Sequence, residues 1–335
     1  MGKVLVTGSA GFIGFHLVKA LLGLGYQVVG VDNLNDYYDP ELKFNRLTAL
    51  EDYAVSSNLS ENYSFFKLDI SNYDNLKNLF NKESFDVVIN LAAQAGVRYS
   101  LENPKAYVDS NLVGFSNILE CCRHSQVGHL LFASSSSVYG MNVKQPFSVS
   151  DNTDYPVSLY AATKKSNELL AHSYSHLFGI PCTGLRFFTV YGPFGRPDMA
   201  YYSFTKAISA GLPINVFNSG KMKRDFTYID DIVEGIVRLI NLIPKSKSND
   251  ISNAKSAFQV LNIGNNNPVT LRRFIRAIEH SVGKKAIENQ LPMQAGDVPV
   301  TYADIGPLSE LCDFQPNTSI EDGIEKFVDW YRSQA

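Results

Sequence analysis

The sequence is poor in the features that mark several function classes. Tryptophan occurs once and cysteine four times (Cys121, Cys122, Cys182, Cys312) in 335 residues. There is no Cys-x-x-Cys pair to seat zinc or a redox disulfide. The adjacent Cys121 and Cys122 are poorly placed to bridge each other, so reduced thiols and a cytoplasmic setting are expected. Neither sign of charge dominates: 30 basic side chains stand against 33 acidic ones, a formal charge of −3. That balance gives no electrostatic footprint for nucleic acid or an anionic membrane. No apolar run approaches the roughly 18–20 residues of a membrane span. The start, Met1-Gly2-Lys3, runs directly into Val4-Leu5-Val6-Thr7-Gly8, which leaves no signal-peptide core. Val6 stands where a myristoylation signal wants Ser or Thr.

What the chain has in quantity is apolar surface, 45% hydrophobic against 19% charged residues. This length has room for about two domains of about 150 residues each. Strand-like runs at 3–7, 26–31, 64–68, 85–91 and 128–133 alternate with helical spacing at 12–24, 72–81 and 104–123. Short apolar strands separated by helices need parallel pairing with long crossovers. This predicts an α/β fold with a Rossmann-type, doubly wound parallel sheet. Beyond about residue 185, Pro193, Pro197 and Pro213 break the pattern into shorter pieces, and helical spacing returns at 229–243, 270–282 and 320–332. The expected organisation is a cofactor domain over 1–185 with later segments, 225–265, crossing back. Residues 186–335 are expected to form mainly a smaller C-terminal α/β substrate-binding lobe.

Gly8-Ser9-Ala10-Gly11-Phe12-Ile13-Gly14 lies between the first strand and the first helix. Glycines there permit a tight turn and let backbone N–H groups approach a pyrophosphate at the helix N-terminus. The spacing is GxxGxxG, one residue longer than the common GxGxxG. Asp32 follows at the end of the second strand, placed to accept hydrogen bonds from the adenosine ribose, and Asp69-Ile70 ends the third. A carboxylate at 32 repels a 2′-phosphate, which favours NAD over NADP. The expected cofactor contacts are Gly8, Gly11, Phe12, Ile13, Gly14, Asp32, Asn33, Asp69, Ile70, Leu91, Ala92 and Ala93, together with Tyr160 and Lys164.

Tyr160 and Lys164 are four residues apart, on one face of a helix. A neighbouring ammonium and a positive nicotinamide ring both favour the phenolate, lowering the phenol from its ordinary value near 10. The same spacing recurs at Tyr63/Lys67, Tyr73/Lys77 and Tyr202/Lys206. With 18 tyrosines in the chain, spacing cannot decide among them. Position does. Only Tyr160 follows a polar strand end, Ser134 to Ser137, of the kind that lines the ligand edge of an open α/β sheet. His172 and His176 lack the Glu of a zinc-binding HExxH pattern, and no metal site is expected.

Taken together, GSAGFIG, the serine-rich strand before Val138-Tyr139-Gly140, and YAATK resemble the extended short-chain dehydrogenase/reductase family. Within it the chain resembles the UDP-glucuronate 4-epimerases. The matching stretches are AGVRYS from Ala95, PVSLY from Pro156, LRFFTVYG from Leu185, GRPDM from Gly195, RDFTYIDD from Arg224 and GDVPVTYAD from Gly296. The resemblance implies Ser135, Tyr160 and Lys164 as the catalytic set, acting with tightly held NAD through a transient 4-keto sugar. It also implies substrate contacts at Arg98, Ser135, Ser136, Ser137, Tyr160, Thr189, Arg196, Phe217, Arg224, Gln294 and Asp297. Thr189 and Arg196 fall at the sugar carboxylate, and Phe217 and Arg224 at the nucleotide of the UDP-sugar. Many relatives carry Arg where this chain has Gln294.

Related decarboxylases and 4,6-dehydratases carry acidic residues just before Val-Tyr-Gly, whereas this chain has Ser136-Ser137. The competing expectations are a 4-epimerase for neutral UDP-hexoses or UDP-N-acetylhexosamines, and a non-catalytic NAD-binding regulator. Relatives are commonly homodimers packed through two helices per subunit, here the segments ending near Arg123 and Phe178.

Overall fold

The computed structural model describes residues 2–245, 256–292 and 299–334. Five segments, rich in valine in β1, β2 and β4 and in phenylalanine or leucine in β3 and β5, form strands β1 (Lys3–Thr7), β2 (Gln27–Asp32), β3 (Tyr63–Lys67), β4 (Val87–Asn90) and β5 (His129–Ser135). With β6 (Cys182–Phe187) and the strand Phe258–Ile263 they make one seven-stranded sheet. Its order is Phe258–Ile263, β6, β5, β4, β1, β2, β3. The pairs β1–β2, β2–β3, β1–β4 and β4–β5 are all parallel, so their carboxyl ends share one edge. Leu5 sits in register between Val29 and Val88, and all three are buried. Strand order reverses between β1 and β4, the position where open α/β sheets leave a crevice for ligands.

Helices cover this sheet because their apolar residues recur at helical spacing. Tyr73–Lys82 contributes Leu76, Leu79 and Phe80, and Phe115–His124 contributes Ile118, Leu119 and both adjacent cysteines, to one buried cluster with Val31, Leu130 and Phe132. All four cysteines are free thiols, and burial pushes Cys121 and Cys182 up to about 12.

Two elements differ from the periodicity. The single helix expected over 104–123 is broken: a short α-turn, Pro104–Tyr107, leads into a π-helical stretch, Val108–Gly114, before the α-helix resumes at Phe115. Its physical reason lies in Asn111, whose side chain is turned inward to pair with the main chain of Gln94. The second is a helix, Glu41–Ser56, that the apolar pattern does not show, because two of its buried positions are Lys43 and Arg46.

The chain divides into two compact units. The first holds residues 1–140, 152–186 and 235–261, and the second 141–151, 187–234 and 262–335. In the second unit Thr189–Tyr191 pairs with Phe226–Tyr228, and Pro213–Phe217 with Ile287–Leu291, both parallel. Lys223–Arg224 pairs antiparallel with Val269–Thr270. An aromatic core holds these short strands to helices: Phe226 stacks on Phe274 at 4.6 Å, and Tyr201 meets Phe327 edge-on at 5.0 Å. Buried Asp225 ties three segments together. Its carboxylate accepts backbone N–H bonds from Asn265 (2.7 Å), Asn266 (3.1 Å) and Ala303 (2.9 Å). Burial pushes its pKa up to about 6 in spite of them.

Candidate active site

The Gly-rich turn is drawn tight by Gly8 and Ser9, whose N–H groups both donate to Val31 O (2.7 and 3.1 Å). Gly8 has φ +71°, and a Cβ there would lie 2.8 Å from Ala92 N. A Cβ at Gly11 would lie 2.9 Å from Gly8 O, and one at Gly14 would overlap the same oxygen. The helix Phe12–Gly23 opens with no side-chain cap and no acidic residue in its first turn. The helix dipole favours an anion at its leading amides, those of Phe12 and Ile13 among them. That arrangement fits a pyrophosphate.

At the end of β2, Asp32 is buried and accepts from Leu34 N (2.8 Å), with Lys43 Nζ at 3.4 Å. Asn33 donates to Asp69 (2.9 Å), which also accepts from Ser71 N and Oγ (2.8 and 2.7 Å). Burial raises the Asp69 pKa, but these bonds outweigh it and leave the carboxyl below its ordinary value. Ile70 is buried, and its carbonyl accepts from Asn117. Beyond β4, Leu91 N donates to Thr7 O and Ala92 N to Thr7 Oγ1, both at 3.2 Å, with Ala93 next along the same edge. The expected cofactor residues of β1 to β4 thus line one sheet edge.

The same edge carries the expected catalytic set. Residues alternate along β5, so Ser134 and Ser135 point to opposite sides. Ser134 Oγ donates to buried Glu168 (2.6 Å). Ser135 Oγ accepts from Ser137 N (3.2 Å) and Ser137 Oγ (2.9 Å), which leaves its own hydrogen to donate outward. Ser136 and Ser137 begin the 3₁₀ turn Ser136–Tyr139. Tyr160 and Lys164 are on the helix Leu159–Phe178, capped by Ser158. Lys164 Nζ lies 5.9 Å from the Tyr160 ring centre and donates to Ala133 O (2.9 Å).

The pair Tyr73/Lys77 has nearly the same geometry, 5.8 Å. Burial separates the two: Lys77 is exposed, whereas Lys164 is 3% exposed, and burial lowers its pKa to about 8. An ammonium shielded from water acts far more strongly on a phenol than one in bulk solvent.

Several residues that hold this set are not legible as a motif. Asn111 donates to Thr163 Oγ1 (3.0 Å), which in turn donates to Tyr160 O (2.8 Å), and Asn167 donates to Asn111 O (2.6 Å). Glu168 continues the row Tyr160, Lys164 at intervals of four. It forms a two-pronged ion pair with Arg186 (Nε–Oε1 and Nη2–Oε2, both 2.8 Å). Both side chains are buried, and the Arg186 guanidinium lies over the Tyr139 ring at 4.8 Å. Burial disfavours the Arg186 charge, yet Glu168 and Tyr139 more than restore it and raise its pKa. A charge inside the otherwise apolar strand β6 was the available signal for Arg186, and the interval of four was the signal for Glu168. Lys43 and Arg46 gave none. Arg46 is fully buried and donates to Ala10 O (2.8 Å) and Tyr38 Oη (2.6 Å), bracing the glycine turn.

In the second unit Thr189 opens a strand, its N–H donating to Asp225 O (3.2 Å). Phe217 ends another strand, and Arg224 Nη1 donates to Lys223 O (2.9 Å) and Pro299 O (3.3 Å). Arg196 holds Asp198 in its fork, Nε to Oδ1 at 3.0 Å and Nη2 to Oδ2 at 2.5 Å. Arg98 is exposed in the first unit, at the start of the short helix Tyr99–Glu102. Gln294 and Asp297 lie outside the described residues.

The family model for the NAD dependent epimerase/dehydratase family matches residues 4–254. Protein CapI of Staphylococcus aureus is 55% identical, with 98% of each chain covered. A probable UDP-glucuronate 4-epimerase of Rhizobium meliloti is 49% identical over 98% of this chain and 96% of its own. Among solved structures, the UDP-glucuronic acid 4-epimerase of Bacillus cereus in complex with UDP-glucuronic acid and NAD superposes with TM-score 0.86 at 36% identity, over 99% of this chain and all of the other. The chain therefore belongs to the NAD dependent epimerase/dehydratase family.

Proposed function

We propose that the protein interconverts UDP-glucuronate and UDP-galacturonate by epimerisation at C4 of the sugar. The observation that carries the choice of a uronate is the likeness along the whole chain to UDP-glucuronate 4-epimerases. Arg196 supports it, because a guanidinium fork that can hold a carboxylate with both prongs, as it holds Asp198, suits a planar anion better than a neutral hydroxymethyl group.

Gly8, Gly11, Phe12, Ile13 and Gly14 would hold the pyrophosphate, with Asp32, Asn33, Asp69 and Ile70 at the adenosine end and Leu91, Ala92 and Ala93 along the edge. NAD, when bound, supplies a reversible acceptor for the C4 hydrogen, so that no net oxidation results. Tyr160 Oη takes the proton of the 4-hydroxyl and later returns it. The Lys164 ammonium favours the phenolate that makes this transfer possible. Ser135 donates its hydrogen to the sugar oxygen at C4, steadied by Ser137 behind it. Ser136 and Arg98 complete the expected contacts of the first unit. Thr189 and Arg196 hold the sugar carboxylate, and Phe217 and Arg224 hold the nucleotide, with Gln294 and Asp297 as further contacts. Remote anchoring through UDP leaves the sugar free to offer either face.

The first unit is the cofactor domain in this reading and the second the UDP-sugar lobe. A homodimer through the helices Phe115–His124 and Leu159–Phe178 is supported by Leu169 and Leu177, which stand 60% and 64% exposed on the second of them. Four free thiols support a cytoplasmic location. Among the described residues no helix is long and apolar enough to cross a membrane.

Incubating the purified protein with UDP-glucuronate, without added cofactor, tests substrate, reaction and retained NAD together. Appearance of UDP-galacturonate is the expected result. Recovery of UDP-glucuronate alone, even after NAD is added, would overturn the assignment.

A further inference from the structure

We infer that Asp198 is a built-in competitor for the substrate carboxylate: it occupies the guanidinium edge of Arg196, is traded out when a uronate binds, and so sets how strictly the site prefers a charged sugar. This rests on the reading that Arg196 takes the uronate.

The geometry has the marks of an occupied binding site. Both Asp198 oxygens are engaged by the Nε and Nη2 edge, at 3.0 and 2.5 Å, in the fork-to-fork pattern a bound uronate would use. Only Pro197 separates the two residues. The side chains are 22% and 33% exposed, so water and ligand can reach the pair, and an ion pair at such exposure is held weakly enough to exchange. The buried Arg186–Glu168 pair, at 4% and 5%, is the opposite case.

The Arg196 main chain is fixed without Asp198. Its N–H donates to the hydroxyl of buried Tyr201 (3.0 Å), and its carbonyl accepts from Met199 N (3.2 Å). Losing the Asp198 carboxylate therefore takes one carboxylate from the guanidinium without releasing the loop.

The trade affects the two kinds of sugar differently. A uronate gives Arg196 one carboxylate in exchange for another, so part of the ion-pair energy goes into displacing Asp198. A neutral hexose leaves Arg196 with Asp198 and so is spared the penalty of a guanidinium that has lost its carboxylate, which is what makes a polar site selective. Asp198 thus lowers discrimination from both directions, and a chain without it is the more selective enzyme.

The test compares kcat/KM for UDP-glucuronate and UDP-glucose in wild type, Asp198→Asn and Asp198→Ala. The ratio is taken within each protein, so it does not depend on the fraction of active enzyme. Both variants are expected to raise the preference for UDP-glucuronate about threefold to tenfold, the range of a modest charged hydrogen-bond contribution, with a lower KM for that substrate. An unchanged or lower preference in both would overturn the inference, a lower one meaning that Asp198 positions Arg196 instead. Arg196→Ala separates the two levels. If it leaves the preference at the wild-type value, the carboxylate assignment itself fails. If it collapses the preference while the Asp198 variants do not raise it, only the competitor role fails.

Discussion

The two units hold their functional side chains in different ways. In the first, polar groups of the candidate edge are tied to segments far away in sequence: Lys164 to Ala133, Ser134 to Glu168, Glu168 to Arg186, Asn111 to both Gln94 and Thr163, with Ser135 held closer by, from Ser137. In the second, the side chains proposed for the substrate have partners close by in sequence, Arg196 in Asp198 and Arg224 in the Lys223 carbonyl, although Arg224 also reaches Pro299 O. Groups that move protons need fixed positions before the substrate arrives, and a buried network supplies them. Groups that grip a ligand must let go of something first, and a local partner on an exposed loop is easy to release. In the proposed reading, catalysis leans on tertiary structure, and recognition draws in part on local structure.

Substitutions can break or sharpen that contrast. Tyr160→Phe should have the largest effect, lowering kcat about 10³-fold, within the range of a lost acid–base group, while bound NAD is retained. Spectroscopic cofactor content alongside turnover checks it. Glu168→Gln breaks a buried ion pair and should cost about 3–5 kcal/mol of stability. Arg196→Ala, by contrast, should leave the denaturant midpoint near wild type. Equal losses in both would erase the distinction between the two units.

On activity, Arg196→Ala should raise KM for UDP-glucuronate at least tenfold. The 4-keto uronate is a β-keto acid, and an unheld carboxylate is free to leave as CO₂, so UDP-pentose should rise above wild type in the same assay. No rise would argue against a restraining role for this arginine. The pH profile is a milder probe of the first unit. Lys164 has its pKa lowered to about 8, below its ordinary value, so its charge is present below pH 8 and lost above it. The rate should therefore fall above pH 8, up to about tenfold per unit. Native stability should move the other way from pH 8 toward 10.5, because there the unfolded chain binds the extra proton and gains nothing from it as pH rises. The smallest effect belongs to Arg224→Ala, a rise in KM of about threefold to fivefold with kcat unchanged.

How far the sequence discloses this molecule follows from the same contrast. Strands β1, β2, β4 and β5 are legible because both faces of a parallel sheet are buried there, so their residues read as apolar runs, while edge strand β3 shows itself by its aromatic residues. The glycine turn is legible because Gly8 takes a backbone conformation that few residues adopt. Helix Glu41–Ser56 is harder to see, since the first half of its inward face carries Lys43 and Arg46, and the apolar stripe is confined to Leu47, Leu50 and Ala54. The π-helical stretch is hidden because one added residue per turn barely disturbs spacing, yet it is what delivers Asn111 to the Tyr160 helix. Tyr160 and Lys164 could be chosen over three equal spacings only by the serines before them. The structure adds the burial that sets their chemistry apart from Tyr73 and Lys77. The Arg196–Asp198 pair was visible as two letters, but nothing in a loop sequence says that a side chain turns back on its neighbour.

Residues 141–151 leave the first unit between Ser135 and Tyr160 and join the second. There Phe147 N donates to Tyr302 O (2.7 Å) and Phe147 O accepts from Asp304 N (3.0 Å). Phe147 also meets the Phe188 ring at 6.4 Å, and its carbonyl accepts from Asn262 Nδ2 (2.7 Å). The insert between the two positions proposed for proton transfer is thus fastened by three separate stretches of the second unit, so no single one of them is its sole anchor.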